Sequence, residues 1–407
     1  MRLRSTLAAA AVALAVAAPL ALAGSSSDPG VTSTSILLGG TSPLTGPAAS
    51  YASVARGAKA YFDSINAKGG VAKRKIDYDI VDDAYNPAQT VQGVRRLVEQ
   101  DKVFAVFNTL GTESNLAIRD YLNQMKVPQL FAASGATTWG RDAAKYPWTI
   151  GFQPSYAAEG FVYGRYVAQN MKKAKVAVLF QNDDYGKDLL GALKSGLGRS
   201  GSKVVAAEPY QVTSPDVGSQ IAKLKASGAN VLAIFATPTF AIQAYVFANR
   251  LGWKPKVIVN GVSGTSNIMV LASEGGKNKV VEGSITTNVL KDPTDPRWKN
   301  DAGMKLYRSL LAKYSKGANV NDVYHVYGMA VGYETVGLLR RLGADPTRAG
   351  LMKAARSMND PKNPFLLPGV VVKTGSGDNF PVQQGRLQRW TKGRWVPFGG
   401  LWQSKRN

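Results

Sequence analysis

The sequence predicts an α/β protein built from two parallel-sheet, Rossmann-like lobes in tandem. Three observations predict it. Short β-branched runs alternate with amphipathic stretches from Ser35 onward; the alternation stops around Tyr146-Pro147-Trp148 and restarts on the same plan; and 407 residues at 45% hydrophobic content suffice for two cored domains.

Taken in order, residues 36–40 read as a strand, 51–66 as a helix stopped by Lys68-Gly69-Gly70, and 75–82 as a second strand. Asn86-Pro87 leads into a helix over 88–99. A third strand over 103–107 leads through 108–111 into a helix over 113–125, and a strand over 128–131 follows. Strands separated by single helices mean a parallel sheet with right-handed crossovers. After the break at 146–154 come helix 157–171, strand 175–180, helix 187–197, strand 203–209, helix 215–227, strand 230–235, helix 240–251 and strand 256–260. From about Glu282 there are helices near 298–314 and 324–342, then Gly/Pro-rich strands. This remainder is too small and irregular for a third lobe. Lobe one is therefore assigned 35–152 plus 284–379, and lobe two 153–283 plus 380–407.

The chain start reads as a targeting segment. Arg2 and Arg4, the Ala/Val/Leu run of 7–22 and the small-x-small site Ala21-Leu22-Ala23 predict a signal peptide over 1–23, followed by a polar linker over 24–34. No cysteine follows the cleavage site to carry a lipid anchor. Past residue 24 no apolar run approaches the roughly 18 residues of a membrane helix. The expectation is a soluble protein, periplasmic or otherwise extracytoplasmic.

With no cysteine anywhere, disulfide scaffolds, thiolate metal sites and cysteine nucleophiles are excluded, and one histidine, His325, leaves little for a triad or a metal cage. His325, between Tyr324 and Tyr327 on a helical pattern, reads as a packed or surface side chain. No catalytic residue, metal or cofactor is expected. The formal charge is +23, yet Lys73-Arg74-Lys75, Arg95-Arg96, Lys172-Lys173 and Arg340-Arg341 lie far apart, so the charge reads as a solvated surface and nucleic acid is not expected as a partner.

In open parallel sheets ligands bind beyond the carboxyl ends of the strands. The turn after 103–107 holds Thr112, placed to cap the next helix, with Glu113 and Ser114 beside it; exposed N–H groups there suit a carboxylate. The next strand end carries Ser134, Gly135, Thr137 and Trp139. In the second half Asp183-Asp184-Tyr185, Thr237 with Phe240, and Gly261-Val262-Ser263-Gly264-Thr265 occupy equivalent ends. These surfaces are polar and aromatic without a paired general acid and base. Gly196-Leu197-Gly198-Arg199-Ser200-Gly201 matches a dinucleotide spacing, but it follows a helix and precedes a strand, so it reads as a helix C-cap turn.

Thr41-Ser42-Pro43-Leu44-Thr45-Gly46-Pro47, Tyr51, the 57–70 stretch ending Ile65-Asn66-Ala67-Lys68-Gly69-Gly70, Asp82-Asp83 with Asn86-Pro87, Val127-Pro128 and Asp184-Tyr185-Gly186 fall in order along the chain. Together they resemble the leucine/isoleucine/valine-type periplasmic substrate-binding proteins of ATP-binding-cassette importers, over nearly all of the chain past residue 34. The resemblance implies a type I periplasmic-binding fold, two lobes joined by a three-crossing hinge, with ligand trapped between them. It also implies ligand contacts at Tyr51, Thr112, the 134–137 turn and Tyr185. One departure stands out: amino-acid binders of this kind carry a carboxylate in the loop after the last second-lobe strand to hold the ligand ammonium, and here that loop is 261–265, which has none.

The expected function is an extracytoplasmic solute-binding protein that closes on a small polar or anionic metabolite (an amino acid, amide or carboxylate) and delivers it, as a monomer, to the membrane permease of an ABC importer. The expected ligand contacts are Tyr51, Thr112, Ser114, Ser134, Gly135, Thr137, Tyr185, Thr237 and Ser263, with Trp139 and Phe240 as further walls. Without the loop carboxylate, leucine, isoleucine and valine should bind poorly, and Glu113, Asp183 and Asp184 are read as helix-stabilising or solvent-facing. A ligand-sensing module for a membrane receptor and an exported enzyme are the rival readings.

Overall fold

The computed structural model describes residues 28–375 and 377–404. The predicted signal peptide over 1–23 lies outside the described residues. The first half runs β1 (Ser35–Ser42), α1 (Ala52–Asn66), β2 (Lys75–Asp82), α2 (Pro87–Glu99), β3 (Ala105–Phe107), α3 (Thr112–Gln124), β4 (Gln129–Ala132), α4 (Thr138–Arg141) and β5 (Thr149–Gly151). These strands form a five-stranded parallel sheet in the order β2-β1-β3-β4-β5. β3, β4 and β5 are buried throughout, as expected of parallel strands covered by helices on both faces. Local chemistry sets the boundaries: Asn86 accepts from the Ala88 N–H with Pro87 at the first helical position, which starts α2.

The second half runs α5 (Tyr156–Asn170), β6 (Lys175–Gln181), α6 (Asp184–Leu197), β7 (Lys203–Tyr210), α7 (Gly218–Ala226), β8 (Val231–Phe235), α8 (Pro238–Arg250), β9 (Lys256–Val259), α9 (Ser266–Ala272) and β10 (Ile285–Asn288). After α10 (Ala302–Tyr314), α11 (Val323–Leu342), α12 (Arg348–Ala355) and the small pair β11 (Asn359–Asp360) and β12 (Val372–Lys373), the hairpin β13 (Gln384–Thr391) and β14 (Arg394–Gln403) closes the chain. The second sheet has seven strands, β14-β13-β10-β9-β8-β6-β7, with β13 and β14 antiparallel. Lys392 and Gly393, both at positive φ, make the tight turn of that hairpin.

The chain crosses between the two sheets three times, after β5, after β10 and between β12 and β13. The second crossing corrects the sequence reading in detail. Residues 285–288, placed with the first lobe, pair parallel with β9 and antiparallel with β13 in the second sheet. A four-residue strand reading Ile-Thr-Thr-Asn has no period that tells which sheet it joins. The chain returns at Leu290, which packs in the first lobe's core with Phe62, Phe107, Met329 and Phe365. The predicted break at 146–154 contains β5, and α4, α9 and α12 are further elements too short for periodicity to reveal.

Each lobe is seamed by a helix pair that meets at glycine. In the first, α1 crosses α11 so closely that a Cβ on Gly328 would lie 2.0 Å from the Val54 carbonyl oxygen, and one on Gly57 2.3 Å from that of His325. In the second, α5 crosses α6, and a Cβ on Gly164 would lie 2.3 Å from the Leu193 oxygen. His325 is buried in the first seam, and burial lowers its pKa against the pull of Asp322. The glycine run at 196–201 is a helix stop, with Gly198 at φ +53 capping α6. Among the described residues no helix is long and apolar enough to cross a membrane.

Candidate ligand-binding site

The carboxyl ends of both parallel sheets open onto one space. Its first wall carries Tyr51 ahead of α1, Tyr85 after β2, the 110–112 turn after β3, and Tyr324 and Tyr327 of α11. The facing wall carries Tyr156 and Glu159 of α5, Tyr185 of α6, Thr237 ahead of α8, and Gly261, Val262 and Thr265 after β9; residues 287–290 of the second crossing run between them. The empty volume, open mouth included, is about 910 Å³, within the usual range for a small-molecule site.

The lobes touch around this space. The hydroxyls of Tyr51 and Tyr324 both donate to the Val262 carbonyl, at 3.3 and 2.8 Å. The Thr137 N–H of the first lobe likewise donates to the Asp188 carboxylate of the second at 2.8 Å, and in return the Thr239 hydroxyl donates to the Pro47 carbonyl at 2.8 Å.

Of the residues singled out in the sequence, Tyr51, Thr112, Tyr185 and Thr237 line the cavity. Thr112 does not cap α3. Gly111 does, at φ +105, where a Cβ would also lie 2.7 Å from the Tyr85 ring; Thr112 is the first helical residue and its hydroxyl pairs with that of Ser134 at 2.7 Å. Ser114, Ser134, Gly135, Thr137 and Ser263 stand behind the lining. Ser114 pairs with Thr90 at 2.9 Å, and Ser263 donates to the Ala236 carbonyl at 2.5 Å. Gly135 accepts the Tyr156 N–H at 2.6 Å and has no room for a side chain, since a Cβ would lie 2.5 Å from the Pro154 oxygen. Trp139 is buried near the Arg119 guanidinium, and Phe240 packs on Tyr210 at 4.4 Å between ring centroids, so both are core residues rather than walls.

Glu113 and Asp184 are exposed, as expected, but Asp183 is not solvent-facing. Its carboxylate accepts from the Gly186 N–H at 3.1 Å and so starts α6 three residues before the predicted position. Burial pushes its pKa up to about 6, against hydrogen bonds from Gln181 and Gly186 that lower it.

The residue missed in the sequence is Glu159. It is 5% exposed and lies one turn into α5, on the buried stripe with Tyr156 and Tyr163. Its Oε1 accepts from the Gly261 N–H at 2.6 Å and from the Tyr163 hydroxyl at 2.8 Å. Burial raises its pKa to about 7, while those two hydrogen bonds pull it down. A carboxylate thus does reach the loop after β9, carried by a helix rather than by the loop itself. The available signal was a lone acid on an aromatic helix stripe. Glu159 is the one charged side chain among the lining residues, and six of them are tyrosines. Burial raises the pKa of Tyr85, Tyr156, Tyr185 and Tyr324, keeping their hydroxyls neutral. Among the described residues no group of three or more acids or histidines could hold a metal ion.

Two sheets whose parallel strands end at one ligand-sized cleft, joined by three crossings, define a bilobal binding protein. Residues 35–394 match the family described as periplasmic binding protein, and the chain belongs to it. It is 29% identical over 281 residues to Leu/Ile/Val-binding protein homolog 3 of Brucella melitensis, covering 68% of this chain and 72% of that one. It is 30% identical over 198 residues to an amino acid binding protein of Pseudomonas aeruginosa, covering 48% and 52%. The match spans about half the length of most such relatives. In fold it resembles the branched chain amino acid ABC transporter protein of Thermus thermophilus solved with bound valine, at a TM-score of 0.81 and 18% identity over 92% of this chain and 98% of that one.

Proposed function

We propose that the chain is an extracytoplasmic solute-binding protein of an ABC importer. It captures one small polar metabolite between its lobes and presents the closed form to a membrane permease. The observation that carries this reading is the cleft itself, walled by both lobes and bridged by hydrogen bonds across it. A ligand that contacts both walls binds the closed arrangement better than the open one, and that difference in affinity drives closure. Family membership and the names of the relatives support transport as the output.

In this reading lobe one is 35–152 plus about 289–379, and lobe two holds the rest from residue 153. Tyr51, Thr112, Tyr185 and Thr237 touch the ligand, while Ser114, Ser134, Gly135, Thr137 and Ser263 hold the lining in place. The protein acts as a monomer, without turnover: a single carboxylate among neutral groups offers no general acid and base pair. A thermal-shift screen of amino acids, amides and small carboxylates tests the reading, because a ligand of the native state raises its melting temperature. Small-angle scattering with the best binder should show the more compact form. Chemical conversion of that compound by the protein would refute the reading.

A further inference from the structure

We propose that the protein carries a second binding site, behind the hinge, for a small organic monocarboxylate with a flat apolar body. It is separate from the solute cleft and does not depend on what the cleft binds.

The site is a pocket between the second crossing and the closing hairpin. Its empty volume, open mouth included, is about 650 Å³, enough for a small molecule. It shares only Asn288 and Leu290 with the cleft, so the second crossing is the wall between the two spaces. On the first-lobe side stand Trp298 and the Leu367-Pro368 turn. On the other side lies the hairpin, where Arg386 and Gln388 of β13 are paired opposite Leu401 and Pro397 of β14, and Arg394 and Trp395 complete the lining.

Several polar groups of this pocket lack partners. The Gln388 side chain is 8% exposed and among the described residues makes no hydrogen bond. Trp395 is 5% exposed, and its indole N–H finds no acceptor. Arg386 donates from Nε to the Gly399 carbonyl at 3.0 Å, but among the described residues neither it nor Arg394 pairs with an acid. The two acids in the lining are already engaged. Asp295 holds Arg297, and Asp292 accepts from the Thr294 N–H and hydroxyl, at 2.8 and 2.7 Å, and from the Ser266 hydroxyl.

Every unpartnered group here is a donor or can serve as one: two guanidiniums, an amide and an indole N–H. Buried polar groups left unmatched are costly, and an oxyanion matches guanidinium groups in charge and in geometry. The Trp298 ring and the prolines and leucines around it take a flat apolar body. Asp292 and Asp295 repel a second negative charge, so a monocarboxylate is preferred to a phosphate ester, and the arginines repel an amine. The formal charge of +23 raises the local concentration of anions at the mouth.

The test follows the indole N–H signals of the seven tryptophans by NMR in the purified, isotope-labelled chain. No tryptophan lines the cleft, whereas Trp298 and Trp395 line the rear pocket, and Trp298→Phe and Trp395→Phe identify their signals. The probes are phenylacetate, phenylacetamide, phenethylamine and phenyl phosphate. Phenylacetate should move both signals saturably and bind at least about fivefold more tightly than the amide or the phosphate, and the amine should move neither. Arg386→Gln combined with Arg394→Gln should weaken phenylacetate roughly tenfold, with the other indole signals at their native positions as proof of fold. Should that pair disturb the fold, Arg394→Gln alone, at an exposed position, must still weaken phenylacetate by more than about twofold. No saturable movement of the two signals, equal affinity for acid and amide, or unchanged affinity in the arginine variants would overturn the inference and leave the solute-binding reading intact.

Discussion

The two lobes are built alike and furnished differently. Each is built on five parallel strands, extended in the second by an antiparallel hairpin, with a glycine-seamed helix pair, and each offers tyrosines to the cleft. Yet the first wall carries no charged side chain and the second carries Glu159. Their seams differ as well: α5 and α6 are neighbours in sequence, whereas α1 must wait for α11. Shared architecture therefore does not impose shared chemistry, and the difference can be probed one lobe at a time.

The largest expected effect is at the seams. Gly328→Val would force a side chain into the Val54 carbonyl, and overpacking of that kind should cost more than about 3 kcal/mol. Gly164→Val should do the same to the second lobe. In denaturant melts followed by hydrogen exchange, Gly328→Val should expose β1 to β5 first and Gly164→Val should expose β6 to β9 first. If both variants lose all amides in one step, the lobes are not separable units and the comparison breaks.

Next in size is the pH dependence that Glu159 gives the second lobe. Its folded pKa, about 7, lies above the model-compound value of 4.5, so the native state holds more protons than the unfolded one between these values. Stability from this group is therefore lost as pH rises from about 4.5 to 7. Relative to Glu159→Gln, the native chain should lose about 3 kcal/mol between pH 4 and pH 8, read from urea melts without ligand. A gap that stays constant with pH would mean that the second wall carries no strained charge.

The reading of the sequence succeeded where the period was long and the punctuation strong, as in β2, whose 75–82 span is the predicted one. It stumbled where one residue served two purposes. Asp183 looked like a surface acid, but a carboxylate that caps a helix can be buried because N–H groups compensate it. Thr112 looked like the cap, but a left-handed turn against the Tyr85 ring calls for glycine one position earlier. Glu159 was invisible for a different reason: its meaning comes from a loop about 100 residues away, and nothing local announces that pairing.

Smaller effects sharpen the contact between the walls. Tyr324→Phe removes the shorter bond to the Val262 carbonyl and should weaken binding of the solute found in the screen by about 1 kcal/mol, roughly fivefold, by calorimetry. Tyr51→Phe, at 3.3 Å, should do less. Equal losses would mean that closure is shared evenly by the two hydroxyls. Smallest of all, Gly337→Ala on α11 meets nothing within 4 Å and should raise stability by about 0.5 to 1 kcal/mol in urea melts, an outcome opposite in sign to that at Gly328 on the same helix.

The seam between α1 and α11 also sets a timetable. The ribosome completes the first sheet by residue 151, but the helix that covers α1 spans Val323–Leu342, and the hairpin that finishes the second sheet ends at Gln403. One face of the first sheet is covered from within residues 94–127, but neither half completes its core until nearly the whole chain has been made. Contacts of such long sequence separation form slowly. The first lobe therefore finishes its core only after most of the second has been made.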